Sequence, residues 1–319
     1  MVRAIKRVMR LSPVKSDVSA LTLWYRASAM SPRETSSRRQ FVSTLVAAPL
    51  AAVGARGADK STKIPIGLEL YSVRHELEKD PGGTLDSVAK MGYECVEFYA
   101  PYYDWTPEHA KDVRKQLDGV GLRCYSTHNG MASFKPEGLD KAIELNKILG
   151  CRYIVLAHPG SNISTLDDWK GLAEMLNKAN EKFSSAGLHA GYHNHDAEWK
   201  PVDGQKPLEL IAHNTDKSVM LQLDVGTCVE TGNDPVAWIE SNPGRIRSMH
   251  VKDWSPNGGY QVLVGEGAVP WKKLFAAAES KGGIEYYLIE QEGSRFPELE
   301  TAERCLIAYR DLRAGKART

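Results

Sequence analysis

With 41 Lys plus Arg against 40 Asp plus Glu in 319 residues, the chain carries a net charge of only +1, which gives no bulk attraction to nucleic acid or to an anionic membrane surface. A hydrophobic fraction of 42% and a charged fraction of 25% are those of an ordinary globular protein, and the length allows one large domain or two small ones. No apolar run reaches the roughly 18–20 residues that span a bilayer.

The N-terminal stretch differs from the rest. Ser36-Ser37-Arg38-Arg39-Gln40-Phe41-Val42 leads into an apolar run ending at Val53 and broken by Pro49, and the small residues Ala55, Gly57 and Ala58 follow. A charged segment, a short apolar region and a small-residue end, in that order, are the plan of an export signal. The Arg pair with Phe two positions on resembles the twin-arginine type. Positions 1–58 are read as an N-terminal extension with this signal peptide. A periplasmic or otherwise exported mature protein is expected, with no stable membrane anchor after cleavage. The residues before Met30 add no pattern, so Met30 is a candidate true start. The five cysteines are odd in number, widely spaced and without a C-x-x-C pair, which suits small buried hydrophobes better than disulfides or zinc ligands.

From Ile64 the chain alternates. Short apolar runs begin near Ile64, Tyr93, Leu122, Cys151, Leu188, Val219, Ile246 and Ile284, about 27 to 38 residues apart. Between them lie stretches of helical period at Thr84–Met91, Pro107–Val120, Pro136–Leu149, Asp167–Ala186, Leu208–Asn214, Pro235–Ser241 and Pro270–Lys281. Thr106-Pro107 and Asp234-Pro235 are helix starts, and Gly92, Gly121, Gly150 and Gly187 stand where helices stop. Strands alternating with helices imply βαβ units and a parallel sheet. Eight such units predict a single (β/α)8 TIM barrel over 62–315. An open doubly wound sheet would carry a Gly-rich phosphate loop after its first strand, where this chain has Leu70-Tyr71-Ser72-Val73-Arg74.

In such a barrel the site lies at the C-terminal ends of the strands. Those ends offer Glu69, Tyr71 and Arg74; Glu97 and Tyr99; His128 and Asn129; His158; His193, His195 and Glu198; Asp224; His250 and Lys252; and Glu290 and Glu292. Five of the nine histidines sort to these ends. Asp224, His250 and Glu290 close three successive strands, which is more ligand chemistry than a core needs, since a buried lone carboxylate is costly unless paired or metal-bound. They are expected to converge on one divalent ion.

IGLELYSVR, GYECVEFY, GYHNHDAEW, LQLDVG, HVKDW, the GEG loop with Val269-Pro270-Trp271, and YLIEQE together resemble the xylose isomerase-like TIM barrels, a group of sugar isomerases and epimerases, inosose dehydratases and lyases acting on 3-keto-glycosides. The resemblance covers roughly Ile64 to Glu292 and rests on order and spacing rather than on any one motif. It implies one divalent ion, usually Mn2+ or a relative, held by Glu, Asp, His and Glu from strands five to eight. Asp224, His250 and Glu290 match the last three. The strand-five Glu falls on His193, a departure with three readings: His193 replaces it, Glu198 reaches in from the loop, or the ligand is lost. His193 is the expected ligand. A His-substituted site is softer and takes Co2+, Ni2+ or Zn2+ more readily than Mg2+.

The expected chemistry is proton abstraction next to a carbonyl, with the ion stabilising an enediolate and a carboxylate or imidazole taking the proton. Glu97, His195, Lys252 and Glu290 are the candidate catalytic groups, with Glu97 either a base or a hydrogen-bond partner. His128, His158, Trp105 and Trp254 are candidate substrate contacts. Isomerase, epimerase and lyase outcomes all share this first step. The expected partner is a small carbohydrate, with no nucleic acid; a homodimer is compatible. Two rivals stand beside this reading: a non-catalytic carbohydrate-binding barrel, and an endonuclease IV-like phosphodiesterase, which would need three zinc ions and a basic face.

Overall fold

The computed structural model describes residues 64–160 and 163–316; the expected export signal lies outside them. Its strands are β1 (Ile66–Glu69), β2 (Cys95–Phe98), β3 (Arg123–Gly130), β4 (Tyr153–His158), β5 (His189–His193), β6 (Met220–Asp224), β7 (Ser248–Val251) and β8 (Tyr286–Ile289). They pair in parallel in chain order, and β8 returns to β1 to close the barrel. Each strand begins within about two residues of the apolar run that predicts it. β1, β2, β7 and β8 are buried along their whole length, as strands covered on both faces must be.

The helices are α1 (Arg74–Lys79), α2 (Pro81–Met91), α3 (Pro107–Val120), α4 (Leu139–Leu149), α5 (Leu166–Ser185), α6 (Pro207–Asn214), α7 (Val225–Glu230), α8 (Pro235–Ser241), α9 (Trp271–Ala277) and α10 (Glu298–Arg313). Their ends follow local chemistry. Thr106 accepts from the His109 amide ahead of α3, and Thr165 with Asp168 forms a reciprocal capping box on α5. Gly121, with φ 80°, ends α3 in the left-handed conformation that glycine adopts without a Cβ penalty. α1, α7 and α10 have no counterpart among the predicted helices. The predicted Pro270–Lys281 helix is α9 continued by a wider turn over Ala278–Gly282.

Side chains along a strand alternate between the barrel interior and the helix layer, and this sets the site's place. Cys95, Tyr153, Val155, Met220, Tyr286 and Leu288 pack together as an apolar plug inside the barrel. Two residues further along their strands, Glu97, Gln222 and Glu290 point the same way, at a more C-terminal level. The neighbouring positions, such as Val96, Phe98, Leu221, Leu223 and Ile289, join the larger core between strands and helices. All five cysteines are buried, with the Cys124 and Cys151 sulfurs 3.3 Å apart.

Candidate metal centre and active site

Asp224 and His250 face one another in register on β6 and β7. Single ligand atoms of His193, Asp224, His250 and Glu290 all lie within 4.8 Å of one another, and all four residues are buried. The expected trio therefore converges, and His193 joins it. Glu198 does not: its carboxylate accepts from the Tyr192 hydroxyl at 2.6 Å and from the His195 amide at 2.8 Å. Those bonds fix the turn after β5 and aim the acid away from the cluster.

Asp224 divides its carboxylate between two tasks. Oδ1 accepts from the Thr227 amide at 2.9 Å and so caps α7. Oδ2 is buried without a hydrogen bond, and the Lys252 ammonium lies 3.4 Å from it. His193 Nδ1 is likewise buried without a partner. Two buried ligand-type atoms without hydrogen bonds beside Glu290 and His250 are a costly arrangement, which the Lys252 ammonium offsets at Asp224 alone and a bound cation would complete. The set of two imidazoles and two carboxylates fits a divalent ion of borderline softness.

His250 sits between two acids. Its Nδ1 is 2.9 Å from Glu290 Oε2, and its Nε2 is 2.8 Å from Glu97 Oε2. Against the cost of burial, Glu290 and Glu97 hold its pKa well above the ordinary histidine value. Burial, then His250 and His128, push His193 well below that value, so it presents a neutral ring, the form a ligand requires. Glu290 is held well below the usual carboxylate range, against burial, by Lys252 and then His250.

Glu97 is fully buried beneath this layer. It receives Ser126 Oγ, Gln222 Nε2 at 3.0 Å, His128 Nε2 at 3.1 Å and His250 Nε2. Its geometry is that of a hydrogen-bond anchor rather than an open base. His128 also meets Gln222 Oε1 at 2.7 Å and stacks on His250 with centroids 5.0 Å apart. It is thus packed against the cluster and only 5% exposed. His158 and His195 stack on each other at 5.7 Å, with His195 edge-on to His193 at 4.9 Å. His158 is exposed and His195 half-buried, so this pair borders the cluster from the β4–β5 side.

Trp105 is half-buried. Its ring packs edge-on against Phe98, Tyr102 and His109. Phe98 points from β2 into the helix layer, and Trp105 packs on it there. Trp254 is half-buried, its amide bonded to Asp253 and its carbonyl to the Ala268 amide.

Several residues at the site escaped the sequence reading. Ser126 and Gln222, the latter inside LQLDVG, are uncharged, yet they bond and orient Glu97. Asn194 bonds the Asp224 amide at 3.0 Å and Thr227 Oγ1 at 2.9 Å, tying β5 to the start of α7. Asp253 is fully buried and accepts from the amides of Trp254, Gly265, Gly267 and Val269 and from the Trp271 indole at 2.9 Å. Trp271 therefore anchors the loop between β7 and α9 at the site's end of the barrel. Glu69, already among the strand-end candidates, has one oxygen on the Tyr71 amide at 2.7 Å and the other without a hydrogen bond. Burial, then Glu290 and Glu97, push its pKa well up.

A closed eight-stranded parallel barrel with this imidazole–carboxylate cluster at the C-terminal strand ends defines a (β/α)8 protein with a candidate metal centre. The family model described as "Xylose isomerase-like TIM barrel" matches residues 85–309, and the chain belongs to that family. It is similar to an inosose dehydratase of Clostridium beijerinckii, 32% identical over 246 residues, 65% of this chain and 80% of that one. An inosose dehydratase of Geobacillus thermodenitrificans is 22% identical over 277 residues, 73% of this chain and 91% of the relative. Among solved structures, a sugar phosphate isomerase/epimerase of Parabacteroides distasonis shares 29% identity with a TM-score of 0.65, covering 80% of this chain and 97% of that one.

Proposed function

We propose that this protein is a divalent-metal-dependent enzyme that removes a proton next to a carbonyl of a carbohydrate, with isomerisation, epimerisation or β-elimination as the outcome. The observation that carries this reading is the convergence of His193, Asp224, His250 and Glu290, with Asp224 Oδ2 and His193 Nδ1 buried there without hydrogen bonds. The similarity to inosose dehydratases and to a sugar phosphate isomerase/epimerase supports a carbohydrate substrate. Those four residues would hold the ion, and the mixed imidazole and carboxylate donors suit Mn2+, Co2+, Ni2+ or Zn2+.

When bound, the ion supplies Lewis-acid polarisation of a carbonyl oxygen. The chain supplies the rest. Glu97 holds the His250 ring through Nε2 and so turns Nδ1 to the cluster. His195, half-buried at the rim beside His193, is placed to accept the proton, with His158 stacked on it to orient the ring. The Lys252 ammonium, 3.5 Å from Glu290, is a positive charge at the site for developing negative charge on the substrate. The Arg38-Arg39 signal in the sequence further supports export, and with it an extracytoplasmic keto-sugar or keto-glycoside as substrate.

The test is incubation of metal-loaded protein with oxidised and unoxidised glycosides in D2O, followed by NMR. Deuterium entering at the carbon next to the carbonyl is the expected result. Sugar binding with no exchange across a panel of keto-sugars would instead make this a carbohydrate-binding barrel, and three zinc ions per chain would turn the reading to phosphodiester cleavage.

A further inference from the structure

The cluster holds a cation of its own. Lys252 follows β7 by one residue, its side chain is only 5% exposed, and its Nζ lies 3.4 Å from Asp224 Oδ2 and 3.5 Å from Glu290 Oε2. Both carboxylates belong to the set that would hold the metal ion. The ammonium has a third partner, Glu292 Oε1, in its tightest contact. Glu292 is not part of the convergent set and its side chain is 43% exposed at the rim. The Tyr260 ring lies 4.9 Å from Nζ, and the Tyr260 hydroxyl is tied to Glu230 at 2.6 Å.

We propose that Lys252 is a resident cation competing with the metal ion for Asp224 and Glu290, and that Glu292 is the positioning residue that draws the ammonium aside when the ion binds. Resting on the metal-centre reading above, this assigns the chain a device that sets metal affinity. Two like charges cannot share the same pair of carboxylates without repulsion. Only the Glu292 contact is free of that conflict, since its carboxylate is not called on by the ion. Without an ion, Lys252 neutralises charge among buried acids that would otherwise repel. With an ion, the ammonium retreats toward Glu292 and Tyr260 at the rim. The ammonium gives up two of its three carboxylate partners and keeps Glu292; no proton need move.

The experiment is calorimetric titration of Mn2+ and Zn2+ into the metal-stripped full protein, with wild type, Lys252→Met, Glu292→Gln and the double variant. Circular dichroism checks that each is folded. Lys252→Met is expected to tighten Kd by on the order of tenfold, the scale of one charge at this range in a partly screened site. Glu292→Gln is expected to weaken it several-fold, because the ammonium loses its alternative partner. In the Lys252→Met background, Glu292→Gln should leave Kd unchanged, since its effect runs through the lysine. Should Lys252→Met prove poorly folded, Glu292→Gln, at the rim, still decides: an unchanged or tighter Kd overturns the proposal. A Glu292 effect that persists without Lys252 also overturns it, because the carboxylate would then act on the ion directly. If wild type binds no ion, this proposal and the metal-centre reading fall together. If wild type binds but the variants match it, only this proposal falls.

Discussion

Glu97 and His250, 153 residues apart in the chain, meet inside the barrel with Glu97 Oε2 2.8 Å from His250 Nε2. This contact leaves Nδ1 as the nitrogen that faces Glu290 and the open side of the cluster. A carboxylate behind a ligating imidazole fixes its orientation and raises its basicity. Glu97→Gln keeps the shape but removes the charge. It is expected to weaken Mn2+ or Zn2+ binding by roughly 10- to 100-fold, read by calorimetry. An unchanged affinity would mean that the His250 ring is held by packing alone.

Asp224 and His250 themselves carry the stronger expectation. Asp224→Ala or His250→Ala should remove bound metal and catalysed deuterium exchange together, with metal content measured by elemental analysis of purified protein. The Asp224 variant should also lose stability, because Oδ1 caps α7, an interaction worth about 1 kcal/mol. An Asp224→Asn variant separates the two effects, since its amide oxygen still caps the helix. Full exchange activity in a variant without metal would end the functional reading.

The strand-five position is tested by a pair of variants. His193→Ala should lower metal affinity, because a His193 ring nitrogen belongs to the cluster and Nδ1 is buried without a hydrogen bond. Glu198→Gln should leave the metal stoichiometry unchanged and instead loosen the turn after β5, where both its oxygens are engaged. Metal loss in the Glu198 variant with retention in the His193 variant would reverse the assignment.

The architecture was legible because each of its causes is local. Apolar runs, proline starts and glycine stops repeat along the chain, and α3, for example, begins and ends at the predicted Pro107 and Val120. Strand-end residues with titratable side chains could be picked out for the same reason, and the alternation along β6 and β7 brings Asp224 and His250 together. What the sequence could not show was pairing through the barrel interior. Gln222 and Ser126 gain their roles only once Glu97 lies between them. Trp105 reads as an exposed loop aromatic until Phe98 is seen to face the helices. Whether Glu97 is a base or an anchor likewise depends on three strands at once.

Asp253 gives the last prediction. The sequence marks it only as the neighbour of Lys252, yet five donors reach its carboxylate, and four are backbone amides within the stretch from Trp254 to Val269. That stretch carries Tyr260 to its place beside Lys252. Gly267 fits only because it lacks a side chain: a Cβ there would lie 2.1 Å from Asp253 Oδ1. Asp253→Asn replaces one acceptor by an NH2 group that faces other donors. Because hydrogen bonds to a buried charge are worth roughly 1.5–3 kcal/mol each, a loss on the order of 3 kcal/mol is expected, visible as a lower Tm. Hydrogen exchange should quicken first in the amides of Gly265, Gly267 and Val269, while those of β7 and β8 stay protected. Uniform loss of protection across the barrel would mean instead that Asp253 supports the whole fold rather than this loop.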